Sequence, residues 1–272
     1  GVQLLQRAAM ERYGKPCSGI KMRVTEMAGG FSGGTAGCLL YGIEHRDDPS
    51  IRAFMTEPYS LNPQGMQNGP EAPDEMMSVK VEYDRDLEAW TRAFFMGPMN
   101  TKIVRRSNAL LGYPYGKDFR YGEAQLVGSG PAGWLEAKTK ALGFAGLIAA
   151  TAIPLTRPLI EKYVLPKPGE GPDQETRETG RWALILLGKV DGHTIRARVR
   201  GEGDPATDST SRMLVESALC LAQDTDKIPV GGGSWTPASA MGDLLLTRLV
   251  SHAGLSFELE PFRAADGAEA ST

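Results

Sequence analysis

Ile195, Ala197 and Val199 alternate strictly with Arg196, Arg198 and Arg200. A period of two places the apolar set on one face of a strand and the arginines on the other. The apolar run 182–190 precedes it, joined by Asp191-Gly192, a pair suited to the positive φ angles of a two-residue hairpin turn. A second alternating run, 21–28 with Met22, Val24 and Glu26, predicts another strand; 79–83 and 255–259 predict two short ones. Helical spacing predicts helices at 2–13, closed by Gly14; 34–46; 98–111, ending at Gly112; 134–150; and 237–253. Asp48-Pro49 supplies the cap and first residue of a short helix to 57, and Ser209 reads as the cap of a helix to 223. Residues 58–73 read as a loop, 166–172 as a proline–glycine linker, and the tail 264–272 as disordered. Helices and strands mix without regular βαβ units, which predicts an α+β fold with a mixed, mainly antiparallel sheet packed with helices over residues 1–263.

The strand at 21–28 runs into Gly29-Gly30-Phe31-Ser32-Gly33-Gly34-Thr35, and a helix follows. A strand–glycine-turn–helix unit brings backbone N–H groups to a helix N-terminus, where they can hold an anion or a carbonyl oxygen. The same glycines also suit a tight connection with no ligand. A second glycine run, Gly128-Ser129-Gly130-Pro131-Ala132-Gly133, has the spacing of a dinucleotide fingerprint. It reads instead as an ordinary loop. The preceding Gln125-Leu126-Val127 is short and polar for a central strand, Pro131 lacks an N–H, and no acidic residue follows a second strand. Gly231-Gly232-Gly233 leads to Thr236 and Pro237, a cap and first helical residue. Three glycines there suggest close approach of a ligand or another backbone.

Asn100, Val104 and Asn108 share one helical stripe, while Arg105 and Arg106 diverge by about 100°. Tyr113, Tyr115 and Tyr121 follow around Pro114 and Gly116, and suit either a pocket lining or core caps. Residues 141–156 are uncharged; sixteen helical residues span about 24 Å, short of the roughly 30 Å hydrocarbon core of a bilayer. A buried helix is expected, with Leu142, Phe144, Leu147, Ile148 and Ile153 inside; a membrane-surface segment is the alternative.

Composition narrows the classes. The 272-residue chain carries a net charge of −3 and no basic–aromatic stripe, so nothing points to nucleic acid. Cys17, Cys38 and Cys220 are widely spaced, which argues for a reducing, cytoplasmic setting and against a structural metal. His45, His193 and His252 form no ligand or catalytic spacing, so no metal site is expected. The chain opens on Gly1 in what already reads as mid-helix, and the expectation is a piece of a longer protein.

As a set, residues 29–35, 100–115, 165–172, 213–221 and 232–243 resemble the C-terminal part of the saccharopine dehydrogenase-like family, in the branch that includes trans-acting enoyl reductases. The resemblance implies a two-domain oxidoreductase. An N-terminal Rossmann domain, here missing, would hold most of the NAD(P), and residues 1–263 would be the substrate and catalytic domain with the fold of saccharopine reductase's second domain. Subunit contacts in a homodimer would also fall here. Gly30, Ser32, Gly33, Gly34 and Thr35 would face cofactor or substrate. Asn100, Arg106, Asn108, Trp235 and Thr236 would bind substrate, and Tyr113, Tyr115 or Tyr121 would supply a proton. The substrate would be an acyl or enoyl group of the polyketide-lipid type, free or carrier-bound, or an amino-acid derivative. Asp204-Pro205-Ala206-Thr207 departs from relatives, which often have glycine and tyrosine after Asp-Pro. The rival reading is a non-enzymatic assembly module at a lipid or membrane surface, using 141–155.

Overall fold

The computed structural model describes residues 1–70 and 79–260; the expected tail at 264–272 lies outside the described residues. In chain order the elements are α1 (Val2–Tyr13), β1 (Gly19–Ala28), α2 (Gly33–Glu44), α3 (Pro49–Thr56), β2 (Val81–Asp84), β3 (Ala89–Ala93), α4 (Gly97–Leu110), β4 (Arg120–Gly128), α5 (Gly130–Ala152), α6 (Arg157–Tyr163), α7 (Gln174–Thr179), β5 (Arg181–Val190), β6 (His193–Glu202), α8 (Asp208–Gln223), α9 (Pro237–Ala240), α10 (Gly242–His252) and β7 (Leu255–Leu259). The fold is α+β, as the pattern predicts. Seven strands form one sheet in the order β2-β3-β4-β1-β5-β6-β7. Among the described residues β1–β4 is the parallel pair, and every other pairing is antiparallel.

Register follows the alternation. Ile20, Met22 and Val24 of β1 lie beside Leu186 and Leu184 of β5, which pair with Ala197 and Val199 of β6. This face carries the main core, joined by Leu5 and Ala9 of α1, Val104 of α4, Met213 of α8 and Leu249 of α10. Burying each large side chain such as Leu5 or Ile195 contributes about 1.5–3 kcal/mol. The β5–β6 turn has Asp191 at φ 47° and Gly192 at φ 77°, as a two-residue hairpin demands. Gly201 on β6 lies under Trp182; a Cβ there would fall 2.4 Å from the indole. The indole N–H donates to the buried Ser209 hydroxyl at 2.9 Å.

The other face is polar. Arg198 pairs with Glu260 and Arg200 with Glu258. The β2–β3 turn leans over this face, where Asp84 binds Arg23 at 2.7 Å and Asp86 sits 2.9 Å from both Lys21 and Lys189. Burial works to raise the Asp86 pKa, but hydrogen bonds and charge from Lys189 and Lys21 outweigh it and hold the group at about 2, below its ordinary 3.8. A pKa lowered on folding contributes stability above pH 4 that is lost as pH falls toward 2. Solvent screening around the half-exposed lysines leaves about 1 kcal/mol at stake. Denaturant titrations across this window should show wild type losing its advantage over Asp86→Asn below pH 4. A gap that stays constant with pH would rule the triad out as the source.

Several expected elements are corrected. Residues 120–128 form a nine-residue strand, β4, inside the sheet rather than a loop approach; its polar residues are tolerated because Asn100 of α4 and Arg92 of β3 supply partners. Ser209 lies inside α8 and is spent on Trp182, while Thr207 stands at the cap position. The helix expected over 237–253 breaks into α9 and α10 at Gly242, whose φ is 47°. Residues 166–172 pack on the glycine turn after β1. The uncharged stretch is only half inside. Ile148 is buried and Phe144 and Leu147 are partly buried, but Leu142 is 60% and Ile153 51% exposed. The short β3, α6 and α7 carry no pattern strong enough to announce them.

Candidate functional site

The two parallel strands, β1 and β4, are adjacent, and each runs through a glycine turn into a helix. Such strand ends are where open sheets with parallel strands bind ligands.

At the first turn Ser32 caps α2; its hydroxyl accepts the Thr35 N–H at 3.2 Å and contacts the Thr35 hydroxyl at 3.0 Å. The Gly30 N–H donates to Asp204 Oδ1 at 2.7 Å, and the Gly33 N–H to the Glu170 carbonyl at 2.9 Å. A Cβ at Gly29 would fall 2.1 Å from that Asp204 oxygen, at Gly30 2.3 Å from Pro172, and at Gly33 1.8 Å from the Lys167 carbonyl oxygen. Three of the glycines are therefore explained by neighbouring segments of the same chain. Gly34 is different: the nearest atom to its Cβ would be Ser32 Oγ at 3.9 Å. Asp204, fully buried, also accepts from the Thr207 N–H and hydroxyl at 2.7 and 2.8 Å. It ties the end of β6 and the start of α8 to the glycine turn.

At the second turn, Gly133 of α5 presses on the backbone of Gly128. That is the close helix–strand approach a dinucleotide fingerprint asks of its last glycine. The rest of the fingerprint is absent. Pro131 has no N–H to offer, and α5 continues unbroken to Ala152, where a second strand with its acidic residue would stand.

The most developed polar cluster lies further back along β4, level with Met22 of β1, where α4 crosses the strand. Glu123 projects from β4 toward the first turn of α4. One carboxylate oxygen accepts from the Tyr121 phenol at 2.8 Å, and the other from Asn100 Nδ2 at 2.9 Å. Two residues along the same strand face, Gln125 Oε1 accepts from Arg92 at 2.6 Å. Arg92 Nε is buried and has no partner among the described residues, and burial lowers the guanidinium's pKa. Tyr121 and Asn100, both expected at a site, thus meet on Glu123, which was not anticipated. The alternation Tyr121, Glu123, Gln125 was the available signal.

The other candidates do not converge there. Tyr115 is buried in the core, its phenol pushed up to about 12 by desolvation, a poor setting for proton transfer. Tyr113, at φ 64°, donates to the Met66 carbonyl at 3.3 Å. Asn108 shapes the same turn, donating to the Gly116 carbonyl and accepting the Tyr115 N–H. Arg106 binds the carbonyls of Leu61 and Ser234, joining two loops. Thr236 is buried, meets Ser107 at 2.8 Å and forms a capping box with Ser239. Trp235 remains 38% exposed, its indole donating to the Gly231 carbonyl; the indole also lies 3.0 Å from a Cβ at Gly233, while Gly231 and Gly232 have open space. Among the described residues no cluster of His, Cys, Asp and Glu could hold a metal ion.

The chain is 38% identical over 266 residues to a Mycobacterium tuberculosis protein named "Putative trans-acting enoyl reductase". The match covers 94% of this chain and 63% of that protein. The chain is similar to trans-acting enoyl reductases along nearly its whole length. Proteins named trans-acting enoyl reductase from Mycobacterium bovis and Mycobacterium ulcerans are 37% and 36% identical over 216 and 208 residues. Each of these matches covers 74% of this chain and 50% of the relative. The chain thus spans between half and two thirds of the length of these relatives. No family model matches it, and no solved structure does.

Proposed function

We propose that this chain is the substrate side of an oxidoreductase that reduces the carbon–carbon double bond of an enoyl thioester, of the kind found on growing polyketide lipids. The observation that carries this reading is its similarity to trans-acting enoyl reductases over 94% of its length. NAD(P) would be held mainly by a segment beyond this chain. The residues here do not fit that cofactor by themselves, because the turn at 128–133 lacks the N–H and the acidic partner it needs, and the turn at 29–35 spends two N–H groups internally.

In this reading Tyr121 and Glu123 hold the proton that the reduced acyl chain must receive. The phenol donates to Glu123 in the resting state, and Asn100 fixes the carboxylate from the opposite side. Tyr121 is only 7% exposed, so the substrate must reach it along the strand face shared with Gln125 and Arg92. Arg106, Asn108 and Thr236 position the surrounding loops rather than touch the reacting atoms.

The test uses the intact protein, a trans-2-enoyl thioester and both nicotinamide cofactors, followed by loss of reduced-nicotinamide absorbance. Tyr121→Phe should lower kcat by about 100-fold at unchanged KM, the scale of general acid catalysis. Its stability should fall by about 1 kcal/mol, one hydrogen bond. No turnover of any enoyl thioester by wild type, with turnover of an amino-acid-derived imine instead, would overturn the substrate class. A kcat within twofold of wild type in Tyr121→Phe would remove this tyrosine from the chemistry.

A further inference from the structure

We infer that the elbow formed by α5 and α6 docks the protein onto an anionic lipid surface. No single helix among the described residues is long and apolar enough to cross a membrane, and α6 turns away from α5 by 118°. The two helices nevertheless hold much of the apolar side-chain area exposed to solvent. Leu155, at the corner, is 84% exposed, beside Ile153 at 51%. Leu159 and Tyr163 continue outward along α6 at four-residue steps, 58% and 70% exposed, with Val164 next to them. On α5 and its cap the exposed uncharged residues Leu135, Thr139, Leu142, Gly146, Ala149 and Ile153 recur at alternating spacings of four and three, with the exposed Glu136, Lys140 and Gly143 beside them. A Cβ built at Gly143 or Gly146 would meet nothing within 4 Å, so nothing described packs on this side. Buried helices of a core do not leave such a stripe in water; interfacial helices do.

Charge selects the occupant. The whole chain is acidic, at −3, yet residues 130–167 contain five basic and two acidic side chains. Lys140 pairs with Glu136 and Arg157 with Glu44. Lys138, Lys162 and Lys167 form no ion pair among the described residues, against the single carboxylate of Glu161. Lysines flanking an uncharged apolar segment meet the headgroups of an anionic leaflet while the leucines enter the acyl boundary. Trp134 and Tyr163 stand near the two ends of the segment, 42% and 70% exposed, the residue types that favour the headgroup level. A second copy of the chain would bring the same lysines against each other, which disfavours self-association through this face. The inference is independent of the reductase reading.

Flotation of the intact protein with vesicles tests it. Wild type should float with phosphatidylcholine vesicles containing about a third phosphatidylglycerol, and at least tenfold less with phosphatidylcholine alone or at high salt. The double substitution Leu155→Ser, Leu159→Ser should reduce flotation at least tenfold with a nearly unchanged melting temperature, because both side chains are mostly exposed. Absence of flotation by wild type would overturn the inference, as would equal flotation by the variant. So would sedimentation equilibrium, without lipid, showing a wild-type dimer that the double variant converts to monomer. That result would assign the face to a second copy.

Discussion

Asp204→Ala should destabilise the protein by about 3 kcal/mol, since each buried hydrogen bond broken leaves a donor costing about 1–3 kcal/mol. The carboxylate is fully buried and receives three donors: the Gly30 N–H, the Thr207 N–H and the Thr207 hydroxyl. Gly30 is exposed enough for water to replace part of its loss. Thr207 is only partly exposed, so water replaces less of what its N–H and hydroxyl lose at the start of α8. For a domain of this size the melting temperature should fall by about 6–12 °C. Asp204→Asn keeps the shape but offers one acceptor where two are needed, and should lose roughly half as much. Paired thermal and denaturant melts decide. A loss below 1 kcal/mol for the alanine variant would mean that the turn after β1 is held by something other than this carboxylate.

Neighbouring glycines should respond in opposite directions. Gly33→Ala puts a Cβ 1.8 Å from the Lys167 carbonyl oxygen and 2.5 Å from its carbon, so the backbone of 167–168 must move and the Gly33 bond to Glu170 is strained or lost. The expected cost is about 2–3 kcal/mol, the scale of overpacking. Gly34→Ala meets only Ser32 Oγ at 3.9 Å and lies in the first turn of α2, where alanine is the better helix former by up to about 1 kcal/mol. It should be neutral or stabilising. This pair also separates packing from ligand binding at the turn. If Gly34 approaches substrate or cofactor, its alanine variant will keep its melting temperature and lose kcat/KM. If kcat/KM also survives, the turn is a structural joint and nothing more. Ser32→Ala is a less clean probe, because the hydroxyl caps α2 and its removal costs about 1 kcal/mol by itself.

Much of the fold was legible because local rules agreed with one another. α1 with its left-handed Gly14, the Asp48 cap of α3 and the hairpin at Asp191-Gly192 each needed only nearby residues. β4 failed because its polar residues look wrong for an inner strand until Asn100 and Arg92 arrive from other elements to satisfy them. That same long-range satisfaction hid Glu123. The exposure of Leu142 and Ile153 was also out of reach. Apolar composition states that a segment avoids water, but whether protein or something else covers it depends on neighbours that periodicity does not name. The glycine turn was found from its residues, while its tether, Asp204, lies 174 residues away.

The central position of β1 has a consequence for how the chain is made. It leaves the ribosome well before its neighbours β4 and β5, whose paired residues begin at Arg120 and Arg181. Until those are synthesised the strand has no sheet to enter, and closing such distant pairings is slow. An unpaired alternating strand is a template for sticking to other chains. Lys21, Arg23 and Glu26 charge one of its faces throughout that interval, before Asp86, Asp84 and Arg181 arrive to neutralise them. The ion pairs of the finished sheet are, earlier in the life of the chain, the charges that keep nascent copies apart.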